Sequence, residues 1–437
     1  MSGAAAEGVA RRRPGAAEAP PAPGRPDPDR TCREVARRRM PYPYRALLAI
    51  SSDLDETPDR SVYLESMRFL NTLDAGPMGP GLGLEVGNSI YFDAFPGQFA
   101  YWSDGEVGRA MVHALIRSGH IDVLHSFGDL ASARADAARA LESLERHRCR
   151  LEVWVDHAVA PTNLDGDIMK GSGDVVSSPA YHADLSVAHG IQYVWRGRVT
   201  SVVGQGVPWT PRGIFTARHA VASGRTLAKE LAKRALAAVG HAKYAMHGPN
   251  EVLRRVCLRS GHEVHEFMRS NPHWGGVSSH ETAGGLADVL VPGMLDRLVQ
   301  REGVCLLYTH LGKIARREEP FAAPTRQALS RLAGFHRAGR ILVTTTRRAL
   351  GYCRTAQEVA WAVSVAPDGA LHLALRSGSA PALSAADLDG LSFYVPDPAR
   401  VRVTAEGREI TDLRRNPPDH TGRPSVSLPW RRLEFPL

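Results

Sequence analysis

Seven short apolar runs punctuate residues 45–350 and constrain the fold more than any other feature. They span 45–53, 120–125, 151–157, 191–196, 262–269, 304–310 and 341–346. Runs this short and this apolar read as strands buried on both faces, the kind found in parallel sheets. Helical periodicity separates many of them, at 106–118, 130–147, 224–239, 286–302 and 324–338. Strands alternating with amphipathic helices make βαβ units. The pattern predicts an α/β fold, a (β/α) barrel of seven or eight strands, regular or distorted, over residues 41–355. An open doubly wound sheet is the alternative. No G-x-G-x-x-G follows the first run, which argues against a dinucleotide site.

The flanks read differently. Residues 1–40 hold six Pro, many Ala and Arg and few large apolar residues, the composition of a disordered tail. Residues 356–437 alternate with period two, with turn signals at Asp368-Gly369 and Glu406-Gly407. They predict a small antiparallel β-sandwich domain. The formal net charge is +8, yet residues 1–45 carry ten Arg against five acids. Most of the excess therefore belongs to the tail, and no basic patch interleaved with aromatics points to nucleic acid. The five Cys are odd in number, widely spaced and form no CxxC pair, as expected for reduced thiols. No secretory pattern and no run of 18 apolar residues is visible, so a cytoplasmic protein without a membrane span is expected.

Chemistry in such a barrel comes from the C-terminal ends of different strands. Four runs end in titratable groups: Asp53-Leu54-Asp55, His125 with Asp129, Asp156-His157, and Tyr308-Thr309-His310. Paired acids can divide the work of metal coordination and proton abstraction. Asp55, His125 and Asp129 would make a facial set of mixed nitrogen and oxygen ligands for one divalent metal, with positions left for water and substrate. His310 can protonate a leaving group, and Asp156 and His157 can orient a reacting carbonyl or a base. Acids after a strand also cap helices, and an imidazole there can simply bond a backbone carbonyl.

The order of these motifs resembles that of the polysaccharide deacetylases of the NodB-homology group. Ser52-Asp53-Leu54-Asp55 is similar to that family's first acidic motif, with one residue inserted. His125-Ser126-Phe127-Gly128-Asp129 is similar to its His-Ser/Thr-x-x-His motif, with Asp129 where the family has a second His. Leu307-Tyr308-Thr309-His310 is similar to its last motif, and its Arg-containing third motif is not evident near 155–161. The resemblance implies a distorted (β/α) barrel that removes acetyl groups from sugars with a divalent metal, usually zinc. It makes Asp53 the base, Asp55 and His125 metal ligands and His310 the general acid, with a carbohydrate as the partner. Two other functions compete: a glycoside hydrolase with two of Asp53, Asp55, Asp129 and Asp156 as its carboxylate pair, and a non-catalytic glycan-binding protein with a decayed metal site.

Overall fold

The computed structural model describes residues 32–53, 56–128, 130–158, 160–214, 220–271, 282–378 and 386–437. Two expected metal ligands, Asp55 and Asp129, and most of the expected tail lie outside these residues.

The chain is mixed α/β around one large curled sheet. Its strands are β1 (Ala46–Ser52), β2 (Gly87–Ile90), β3 (Ile121–His125), β4 (Val153–Val155), β5 (Tyr193–Trp195), β6 (Val199–Thr200), β7 (Leu253–Cys257), β8 (Glu263–Phe267), β9 (Arg269–Ser270), β10 (Val304–Thr309) and β11 (Ile341–Thr344). They pair in the order β7-β8-β5-β4-β3-β2-β1-β10-β9-β6, and β11 joins β1 beside β2. Only the β7–β8 pair is antiparallel. Met268 alone separates β8 from β9. The first of these pairs with β5 and the second with β10 and β6, so one segment touches both ends of the parallel run.

Side chains of a strand alternate between faces, and the core divides by that rule. Leu48, Ile50, Leu124, Trp154, Val194 and Leu307 pack in the outer cluster with residues of the helices Arg60–Asn71, Gly105–Arg117, Arg134–Arg146, Pro292–Arg301 and Ala323–Arg337. Leu47, Ala49, Val123, Val153, Val155, Trp195, Phe267 and Leu306 pack on the inner face. The inner cluster continues into Leu350 and Tyr352 of the helix Thr346–Glu358, and into Leu373 and Phe393 beyond it. The C-terminal region thus plugs the N-terminal end of the sheet.

Sequence expectation and structure part at several places. Ala36–Arg37, expected within the tail, pairs with Ser392–Tyr394, and Val35 beside it is buried. The C-terminal region contains two four-stranded sheets, one of which includes Ala36–Arg37. It is not wholly antiparallel, because Leu371–Ser377 runs parallel to Val401–Ala405. Strand β2 was not foreseen: Gly87, Asn88 and Ser89 give it no apolar period. A side chain at Gly87 would put its Cβ 2.1 Å from Asp122 Oδ1, so it would have to displace the buried Asp122 carboxyl. Among the described residues no helix is long and apolar enough to cross a membrane.

Candidate active site

The inner parity of five strands leads to one cluster at their C-terminal ends. Asp53 continues the Leu47, Ala49 series, His125 follows Val123, and His157 follows Val155. Arg269 follows Phe267, and Tyr308 and His310 follow Leu306. Asp53, His125, Arg269 and His310 are all buried.

Arg269 organises the cluster. Its two terminal nitrogens donate to Asp53 Oδ1 at 2.9 Å and Oδ2 at 3.1 Å, a bidentate pair. Its guanidinium carbon lies 4.3 Å from the Trp195 ring centroid and 4.7 Å from that of Tyr308. The two rings are nearly parallel, at 16°. The cation is thus held between aromatic faces while its edge grips the carboxylate. Burial alone would raise the Asp53 carboxyl; the Arg269 charge, followed by His125, overrides burial and holds it far below the usual carboxylate range.

His125 Nε2 lies 3.3 Å from Asp53 Oδ2, while its Nδ1 is buried without a hydrogen-bond partner. With Nε2 protonated toward Asp53, Nδ1 carries the lone pair. The turn that follows is strained: Ser126 (φ 42°), Phe127 (φ 62°) and Gly128 (φ 114°) are consecutive left-handed residues. It is held where Ser126 Oγ donates to Asn163 Oδ1 at 3.0 Å and where Gly128 bridges Asp93, the third residue beyond β2. The same Asn163 accepts from the His157 backbone N–H at 2.9 Å and donates to the His157 carbonyl at 3.1 Å. One asparagine therefore positions two adjacent rim loops. The His157 Nδ1 is 2.6 Å from the Tyr91 hydroxyl, and the His157 and His125 rings are 4.9 Å apart. At the opposite side Tyr308 Oη lies 3.2 Å from His310 Nε2, and the Asp53 N–H donates to the Thr309 carbonyl.

The structure therefore gathers Asp53, His125, His157 and His310 into one contact network. It does not bring Asp156 there. Asp156 has the outer parity of Trp154, whose indole N–H donates to its Oδ1 at 2.6 Å, with the Leu164 N–H at 2.8 Å. Burial is the main cause that pushes its carboxyl up to about 7. Asp156, expected to orient substrate, instead ties the loop after β4 to the sheet. Arg269, Tyr91 and Tyr308 were missed as site residues. Arg269 ends an apolar run just as Asp53 and His310 do, and strand parity would have selected it.

A metal was expected on Asp55, His125 and Asp129. His125 fits that role, since metal-bound imidazoles hand their other N–H to a carboxylate and keep one nitrogen open. Its two expected partners lie outside the described residues, and among the described residues no three His, Cys, Asp or Glu side chains converge on one point. Among known proteins, the chain matches no family model and no curated sequence.

Proposed function

We propose that this chain is a metal-dependent hydrolase acting on carbohydrate, most specifically one that removes acetyl groups from a glycan. One observation carries the reading: a carboxylate clamped by Arg269 holds His125 with one buried nitrogen open, at the C-terminal ends of parallel strands where such chemistry is built. The pairing of residues 263–270 with both β5 and β10 supports taking the curled sheet as a distorted seven-stranded barrel. The two C-terminal sheets support a sandwich-like appendage.

His125, with Asp55 and Asp129, would hold the metal. A divalent ion, zinc by the resemblance, supplies Lewis acidity toward a water and an acyl carbonyl when bound. Arg269 holds the Asp53 carboxyl far below the usual carboxylate range, so at neutral pH Asp53 is ionised and able to accept a hydrogen bond or a proton from water. The same clamp makes it a weak base in the resting site. His310, beside Tyr308, donates the proton that the leaving amine or alkoxide requires. His157 and Tyr91 close the opposite wall and orient the acyl group. The carboxylate-pair alternative loses Asp156, which lies on the other face of the sheet.

The test is acetate release from N-acetylated and O-acetylated oligosaccharides, with metal content measured on the purified full chain. Release that stops on chelation, returns with zinc and is lost in Asp55→Ala and His125→Ala supports the reading. Equal release from wild type and Asp55→Ala overturns the metal site, and new reducing ends without acetate overturn deacetylation.

A further inference from the structure

A second feature borders this cluster. The helix Ala220–Ala238 is inverted: its buried residues are Ser223, Thr226 and Glu230, while Val221, Leu231 and Leu236 face outward. Its polar face roofs a cavity of about 390 Å³. The floor is made by Gly197 and Arg198, which follow Trp195, and by Asn271, two residues beyond Arg269. The same two segments thus carry the aromatic clamp of Asp53 and the floor of the cavity. They are tied together where the Arg269 N–H donates to the Arg198 carbonyl and the Asn271 N–H to the Thr200 carbonyl.

The lining is basic in an unusual way. Of the chain's 54 basic residues only five are Lys, and three of these, Lys229, Lys233 and Lys243, line this cavity with Arg198 and Arg225. Some of that charge is committed. Lys233 Nζ donates to Glu230 Oε1 at 2.8 Å and to the Val199 carbonyl, Lys243 pairs with Asp167, and Arg198 pairs with Glu266. Glu230, the one carboxylate in the wall among the described residues, also lies 3.4 Å from His247 Nδ1. Arg225 and Lys229 have no acidic partner among the described residues. Asn271 is only 2% exposed, yet neither its Nδ2 nor its Oδ1 has a hydrogen-bond partner. A buried amide left unsatisfied is costly unless a ligand completes it. Compact ammonium groups on flexible stems, beside an amide donor, suit an oxyanion.

We propose that this cavity is an oxyanion subsite that takes an acidic substituent, carboxylate, phosphate or sulfate, of the substrate. That its ligand is part of an acidic glycan rests on the function proposed above; that it binds an oxyanion does not. Calorimetric titration of the full chain at low salt tests it, with inorganic phosphate and D-glucuronate as probes and methyl glucoside as the neutral control. Saturable binding of either anion, weakened at least tenfold in the double variant Arg225→Gln/Lys229→Gln and also weakened in Asn271→Ala, is expected. Arg225 and Lys229 are exposed, so the double variant should fold. His125→Ala should bind the anion as wild type does. Phosphate without glucuronate assigns a tetrahedral anion, and the reverse assigns a uronate. Anion binding in a chain that releases no acetate supports the subsite and removes only the deacetylase reading. No saturable binding of either anion, or binding unchanged in the double variant, overturns the subsite whatever the hydrolysis assay shows.

Discussion

The two ends of the curled sheet both bury carboxylates, and they treat them in opposite ways. At the C-terminal end Asp53 meets a guanidinium with both oxygens and is held ionised. At the N-terminal end Asp122, the second residue of β3, accepts from the backbone N–H of Arg347 at 2.7 Å, and its Oδ1 has no partner. Burial, opposed mainly by that hydrogen bond, pushes its carboxyl up to about 7. Its neighbours Glu85 and Glu152 pair with Arg348 and Arg347, which belong to the C-terminal plug. One end therefore concentrates a fixed charge beside an open imidazole nitrogen. The other spends its charges on locking two parts of the chain together.

If that contrast is right, removing Arg269 has the largest effect. Arg269→Ala leaves Asp53 buried with His125 as its one remaining side-chain partner at the clamp, which costs roughly 3–5 kcal/mol. Urea unfolding should show that loss, together with loss of any hydrolysis. A smaller change, Arg269→Gln, should raise the Asp53 carboxyl and move the acid limb of the pH–rate profile upward. An unmoved acid limb would detach Asp53 from the chemistry. His125→Ala comes next: bound metal and hydrolysis should be lost together, with much less effect on unfolding than Arg269→Ala.

What the sequence made legible follows from the same physics. Apolar runs buried on both faces announce themselves, so the strands holding Asp53, His125, His157 and His310 could be read with their polar ends. Strand β2 could not, because Gly87, Asn88 and Ser89 are buried through fit and hydrogen bonding rather than apolarity, and Tyr91 was lost with it. The helix Thr346–Glu358 was missed where its register turns directly into the alternation of Val359–Val365. Asp156 was misplaced because two adjacent polar residues at a strand end cannot share a face. Counting parity from Val153 and Val155 would have chosen His157 alone. Arg269 was passed over because the search at strand ends was for acids and imidazoles, while the group that fixes their charge is a guanidinium three residues beyond Glu266 on the same segment.

The base of the sheet is tested by pH. Because the folded Asp122 carboxyl is raised above its unfolded value of about 3.9, its contribution is fully present below that value. It is lost as pH rises through about 7. Asp53 has the reverse sign, with its contribution present above about 3.9 and lost as pH falls. Buried His113, His120 and His182, lowered to about 4, give the opposite slope in both proteins, so the readout is the difference: the advantage of Asp122→Asn over wild type should grow between pH 5 and 7 and reach on the order of 2–4 kcal/mol at pH 8. An advantage that does not grow with pH would mean that the raised carboxyl is not Asp122, and Asp156→Asn, whose carboxyl is also pushed up to about 7, then becomes the discriminating protein.

The smallest effect sharpens the contrast most. Arg348 pairs with Glu85, but Glu85 also accepts from Thr344 Oγ1 at 2.8 Å and from the Leu433 N–H at 2.9 Å. Arg348 also stacks 4.1 Å from the Trp430 ring centroid. Losing the guanidinium leaves the carboxylate with two donors, so Arg348→Ala should cost only about 1–3 kcal/mol. The C-terminal plug should loosen before the rim does, which amide exchange would show as faster exchange in 392–394 and 425–427 with little change in 304–309. Hydrolysis by the variant should match wild type at temperatures where both are folded, since nothing in the Arg348 pairing reaches Asp53. A loss of activity on the scale of His125→Ala would mean that the two ends are coupled through β1 and β3, and that the plug is part of the site.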